Sequence, residues 1–79
     1  MRRNITHVRK DEHDNIIAVK TYEAILTTLQ VVERIREKID NFHVTAGSAE
    51  VPVGIYQDKW IRSHADGEWN NNLDNLPRF

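Results

Sequence analysis

Only one stretch of this 79-residue chain carries a helical rhythm, and that limits the possible folds more than any other feature. Thr27 is followed three residues later by Gln30, the spacing of a capping box. In that motif a hydroxyl accepts from an unpaired backbone N–H at the helix start, and the glutamine reaches back to the cap. Leu29, Val32, Ile35 and Ile39 then fall at spacings of 3, 3 and 4, one face of a helix expected to run to about Ile39. Arg36 and Lys38 lie near its C-terminal end, where cations complement the backbone dipole. Asp40-Asn41 is the expected stop.

The rest of the chain alternates. Asn4–Lys10 and Asn15–Thr21 are rich in β-branched residues and are separated by the polar Asp11–Asp14, so they read as an antiparallel hairpin. Strict alternation puts Ile5 and His7 on one face of the first strand, with Thr6 and Val8 on the other. In the second strand Ile17 and Val19 oppose Ile16 and Ala18. Both faces carry apolar residues, so the pattern leaves open which one meets the core.

After the helix, Phe42–Thr45 is a short strand, Gly47-Ser48 a turn, and Ala49–Tyr56 a strand with Val51, Val53 and Ile55 on one face. Pro52 has no N–H, so this strand is expected at a sheet edge, or with that position directed outward. Gln57-Asp58 reads as a two-residue turn without the glycine that primed turns favour. Lys59–His64 would be the returning strand and Ala65–Gly67 a turn, with Trp69 opening the tail. The order β-β-α-β-β-β implies an α+β fold: one helix packed on a small, mainly antiparallel sheet. The sheet's other face is left to solvent, a partner or the tail.

The length suits a single small domain, residues 1–79. Its last ten residues, NNNLDNLPRF (70–79), look too organised for a frayed end. Leu73 and Leu76 are three apart, so a single helical or 3₁₀ turn brings them together. Asn72 and Asp74 suit the backbone of such a turn, and Pro77 ends it. The segment is therefore expected to be a latch that docks its leucines on the sheet, beside Trp60 or Trp69. The alternative is a recognition patch of Asn70, Asn71 and Asn75.

The chain contains no cysteine, which removes disulfides and thiolate metal sites and fits a reducing compartment. No apolar run follows Arg2 and Arg3 in the manner of a leader, and none approaches a membrane span. A cytoplasmic protein with no membrane partner is expected. A net charge of -1 gives no support to a dedicated nucleic-acid binder.

The residues also argue against catalysis. His7, His13, His43 and His64 form no close pair, so neither a metal nor another cofactor is expected. Ser48 and Ser63 lie in no G-x-S-x-G turn, and no glycine-rich phosphate loop occurs. An enzyme is not expected. The leading reading is a non-catalytic interaction module, binding an unknown protein or itself through a sheet edge or an exposed sheet face. The alternative is a module for single-stranded nucleic acid. In it Trp60 and Arg62, with His64 beyond them on one strand face, would stack bases, and Arg2, Arg3, Arg9 and Lys10 would supply a basic edge. Trp60 is instead expected to be a core or tail-packing residue.

The runs Ile5-Thr6-His7-Val8-Arg9-Lys10, Ile55-Tyr56 with Trp60-Ile61-Arg62-Ser63, and above all Asn71-Asn72-Leu73-Asp74-Asn75-Leu76-Pro77 resemble a bacterial family of small uncharacterised proteins, domain of unknown function 3892. The resemblance spans nearly the whole chain, and the asparagine–leucine–proline run is its most specific part. It departs from the family at Tyr22–Leu26, which stands where a more glycine-rich turn is expected. The resemblance implies a compact bacterial or phage-associated domain and no particular activity.

Overall fold

The structure is a computed structural model describing residues 1–65, 68–70 and 72–79, with only the backbone described at 46, 64, 65 and 68–70. Its elements are β1 (Arg2–Lys10), β2 (Ile16–Thr21), β3 (Ile25–Thr27), α1 (Thr28–Arg36), β4 (Asn41–Ala46), β5 (Ala49–Tyr56), β6 (Trp60–Ala65) and β7 (Glu68–Asn70). The strands form one sheet in the order β3-β2-β1-β4-β5-β6-β7. Every neighbouring pair is antiparallel except β1 and β4, which run parallel because the chain crosses back through α1. This is the expected α+β architecture, enlarged by two three-residue strands. The turn expected at Ala65–Gly67 includes residues 66 and 67, which lie outside the described residues.

The first hairpin departs from strict alternation. Ile5 and Val8 are both buried although they are three residues apart, and His7 is only half-buried. The register explains this: Ile5 faces Thr21 but His7 faces Lys20, so Thr6 is an extra residue on β1. A second shift leaves Ile17 extra on β2, between the pairs Arg9–Ala18 and Lys10–Ile16. Each bulge moves the following side chains to the other face. Ile16 and Val19 therefore both reach the core, and Ile17 is exposed.

The cap on α1 forms as expected. Thr27 Oγ1 accepts from Gln30 N at 3.2 Å, and Gln30 Oε1 accepts from Thr27 N at 2.8 Å. Leu26 just before the cap and Val31 four positions after it are both buried, the arrangement of a hydrophobic staple. The expected apolar face and end of the helix need correction. The helix stops at Arg36 because Lys38 adopts a positive φ of 59°. The buried stripe is Thr28, Val31 and Val32, with Ile35 packed against it, while Leu29 and Ile39 are exposed. Thr28 is turned inward, its Oγ1 donating to Ile16 O at 2.7 Å, and residues 28, 31, 32 and 35 make the inward ridge. Arg36 Nη2 then donates to Asp58 O at 2.9 Å, tying the helix end to the β5–β6 turn.

Strand β5 is not an edge. It pairs with β4 through His43–Pro52 and its neighbours, and with β6 from Val53 onward. Pro52 is tolerated because it sits where the β6 ladder ends. Val51 and Val53 face the core as expected. Gly47 supplies the positive φ of 62° that a tight turn between Ala46 and Ala49 needs. Gln57 and Asp58 both take positive φ, at 52° and 61°, in a loop of three residues rather than the expected two, because Tyr56 pairs with Trp60, where the returning strand starts.

The C-terminal segment docks. Leu73 is 1% exposed within the hydrophobic core, and Leu76 packs against that core. Leu76 N donates to Leu73 O at 3.3 Å, the single turn that brings the two leucines together. Leu73 N donates to Ser63 Oγ at 3.1 Å, which gives the fully buried Ser63 a structural task. The chain then runs parallel to β1: Val8 N donates to Pro77 O at 2.9 Å and Phe79 N to Val8 O at 3.3 Å. The outer edge of β1 is thus shared, with β4 along Arg2–Asn4 and the tail at Val8.

Candidate functional site

Strand β6 turns Ile61 and Ser63 into the core, so alternation sends Trp60 and Arg62 to the opposite face. Trp60 faces Tyr56 across the ladder and Arg62 faces Gly54. The missing side chain at Gly54 leaves Arg62 free to lean diagonally over Tyr56, with its guanidinium carbon 3.9 Å from the ring centre. Lys59 Nζ stands 5.5 Å from the Trp60 ring centre. Trp60 is half-buried and lies outside the hydrophobic core, so the core-residue expectation for it does not hold.

Tyr56, Trp60, Ile61 and Arg62 form one wall of a cleft. The other walls are Asp14, Asn15 and Ile16 of the first hairpin and Asp74 of the tail. Lys10, its side chain only 10% exposed, reaches both Asp14 at 3.2 Å and Asp74 at 3.6 Å. That bridge ties the hairpin turn to the tail. The first turn is itself ordered by Asp11, whose Oδ1 accepts from His13 N and Asn15 N, each at 2.9 Å. The bond from Asn15 leads in holding the Asp11 carboxyl below its ordinary value.

The remaining expected site residues are dispersed. Asn75 is exposed, and its N–H donates to Asn72 O at 3.3 Å to close the tail turn. Asn71 lies outside the described residues, as do the side chains of His64 and Asn70. His43 Nε2 is 3.0 Å from Glu50 Oε2, and His7 contacts Thr6 on β1. Among the described residues, no three histidine or carboxylate side chains gather as a metal site.

Sequence reasoning missed a second constellation. Asp40 is 2% exposed, and its two oxygens are divided between two arginines from distant elements. Arg3 Nε donates to Oδ1 at 3.3 Å and Arg34 Nη1 to Oδ2 at 3.0 Å. Burial alone would raise the Asp40 pKa, but the Arg34 hydrogen bond and the Arg3 charge outweigh it, so the carboxyl is held below its ordinary value. The sequence marks Asp40 only as a helix stop. A polar residue one turn past a helix end carries no signal that it will be buried.

A family model described as a protein of unknown function, DUF3892, matches residues 4–77. The chain belongs to the DUF3892 family. No curated protein and no solved structure matches it. The match takes in all of the sheet of this DUF3892 chain except Arg2 and Arg3 at the start of β1, together with the capped helix and the docking leucines. No helix among the described residues is long and apolar enough to cross a membrane.

Proposed function

We propose that this DUF3892 protein is a non-catalytic, cytoplasmic interaction module that docks another polypeptide on the β3 edge of its sheet. One observation carries the reading. Tyr22, Ile25 and Leu29 are 79%, 60% and 61% exposed, and they sit on the turn before β3, on β3 itself and on the first turn of α1. Large apolar side chains left in solvent along an uncovered sheet edge mark a candidate docking surface. A three-residue edge offers few backbone groups, so the side chains would supply most of the contact. The simplest occupant is a second copy, because a two-fold axis sets the same patch against itself. Self-association would also add the apolar burial that a chain of 79 residues supplies sparingly. The lack of cysteine supports a reducing compartment.

The nucleic-acid reading rests on Trp60 and Arg62. The carboxylates of Asp14 and Asp74 share their cleft and make a phosphate backbone the less favoured ligand there.

Light scattering across a wide concentration series tests the proposal. The expected result is a rise from monomer to dimer mass that Ile25→Lys and Leu29→Lys each suppress, while the melting curve taken at dilute, monomeric concentration stays in place. A monomer mass at every concentration, or a dimer indifferent to both substitutions, would sink it.

A further inference from the structure

The two arginines on Asp40 also line a cleft of about 190 Å³, closed by Thr21, Glu23, Ala24 and Leu26. We propose that this cleft binds a carboxylate carried on an apolar body. The inference does not depend on the docking role of the β3 edge.

The charges are unevenly held. Asp40 is buried and engages each arginine through a single nitrogen, Nε of Arg3 and Nη1 of Arg34. A guanidinium presents five N–H donors in a fixed fork, so one such contact leaves most of the fork unused. The Met1 ammonium, 3.9 Å from Asp40 Oδ1, adds to the positive side. One further anion joins the group and leaves it one positive charge in excess: Glu23, whose Oε1 is 3.2 Å from Arg3 Nη1 and whose side chain is 46% exposed. An ion pair open to water to that extent contributes little and exchanges readily. Glu23 therefore sits at the rim as a replaceable occupant, whereas Asp40 is a fixed part of the floor.

The ligand class follows from what a substitute for Glu23 would meet. Its charged end would take over Arg3 Nη1 and reach the spare donors of Arg34, the paired geometry that suits a planar carboxylate. Its body would lie against Ala24 and Leu26. A phosphate is less suited, because part of the wall is the apolar surface of Ala24 and Leu26. The same chemistry is offered by a small organic acid and by the free C-terminus of a peptide ending in an apolar residue.

The test is an NMR titration of the full chain that follows the Arg3 and Arg34 Nε–H signals and the Ala24 amide. The probes are hexanoate, hexanamide, and an N-acetylated tripeptide ending in leucine with a free or an amidated C-terminus. The expected result is saturable shifts at these three residues with at least one free acid and none with its amide. Glu23→Gln removes the competing carboxylate from an exposed position, and a melting curve checks that it stays folded. It should bind the same acid about two- to fivefold more tightly, the range set by an exposed ion pair. Saturation by the peptide acid but not hexanoate assigns the site to peptide termini, and the reverse assigns it to small acids. Absence of saturation with either acid, equal binding of the amides, or a Glu23→Gln protein that binds no more tightly would overturn the proposal.

Discussion

The two sides of the β1–β2 hairpin are finished in opposite ways. On the β1 side the last residues fill the stretch that β4 leaves unpaired: Leu73 fills the core, Ser63 receives its N–H, and Pro77 and Phe79 pair with Val8. On the β2 side the sheet ends in the three residues of β3, with Ile25 and the neighbouring Tyr22 and Leu29 in solvent. A small domain that seals one flank so thoroughly and leaves apolar groups on the other has partitioned its surface. The sealed flank contributes stability and the open flank is available for contact. Substitutions on the two sides should therefore behave differently.

The largest effect is expected on the sealed side. Removing the chain after Trp69 takes away Leu73, Leu76 and both bonds to Val8, and the protein should fail to give a cooperative melting transition. Leu73→Ala alone should cost about 2–5 kcal/mol. That is a large part of a total expected at about 4–12 kcal/mol for a chain of this length. An unchanged melting curve for either variant would contradict the latch. Ser63→Ala leaves the buried Leu73 N–H without its acceptor and should cost about 1–3 kcal/mol by chemical denaturation.

Acid should act through Asp40. Its folded pKa is lowered, so its contribution to stability is present above the ordinary value of 3.8 and is lost as pH falls toward the folded value. Melting temperatures measured downward from pH 5 should fall in the wild type, and the fall should be shallower in Asp40→Asn. Thr27→Ala removes the helix cap and should cost about 1 kcal/mol. Gln57→Gly should raise stability, by up to about 1 kcal/mol, because it relieves a positive φ at a position with a side chain. On the open side, Ile25→Lys should change the stability of the monomer by less than about 0.5 kcal/mol.

The capped helix, the two hairpins, the valines of β5 and the docking leucines were all legible in the residues, because each depends on local spacing. What escaped depends on partners elsewhere in the chain. Nothing in Ile5-Thr6-His7-Val8 announces that Thr6 will be the extra residue of a bulge, since that is decided by where Thr21 and Lys20 fall on β2. Leu29 completes a convincing apolar stripe, but the bond from Thr28 to Ile16 O, a partner on β2, turns Thr28 and Val31 inward. The pairing of Trp60 with Arg62 on one strand face followed from alternation. The carboxylates beside them, Asp14 and Asp74, come from the opposite ends of the chain and share the cleft only after the tail has docked. For the same reason the convergence of Arg3, Arg34 and Asp40 was not readable: the three are brought together by the parallel β1–β4 pairing and the helix that precedes it.

The claim that the β3 edge is a contact surface is tested most directly by isotope-filtered NMR on a mixture of labelled and unlabelled chains. Contacts between chains should appear at Ile25 and Leu29 and grow with concentration, with none at Leu73 or Phe79. Contacts confined to other faces of the sheet, or no contacts between chains at any concentration, would contradict it.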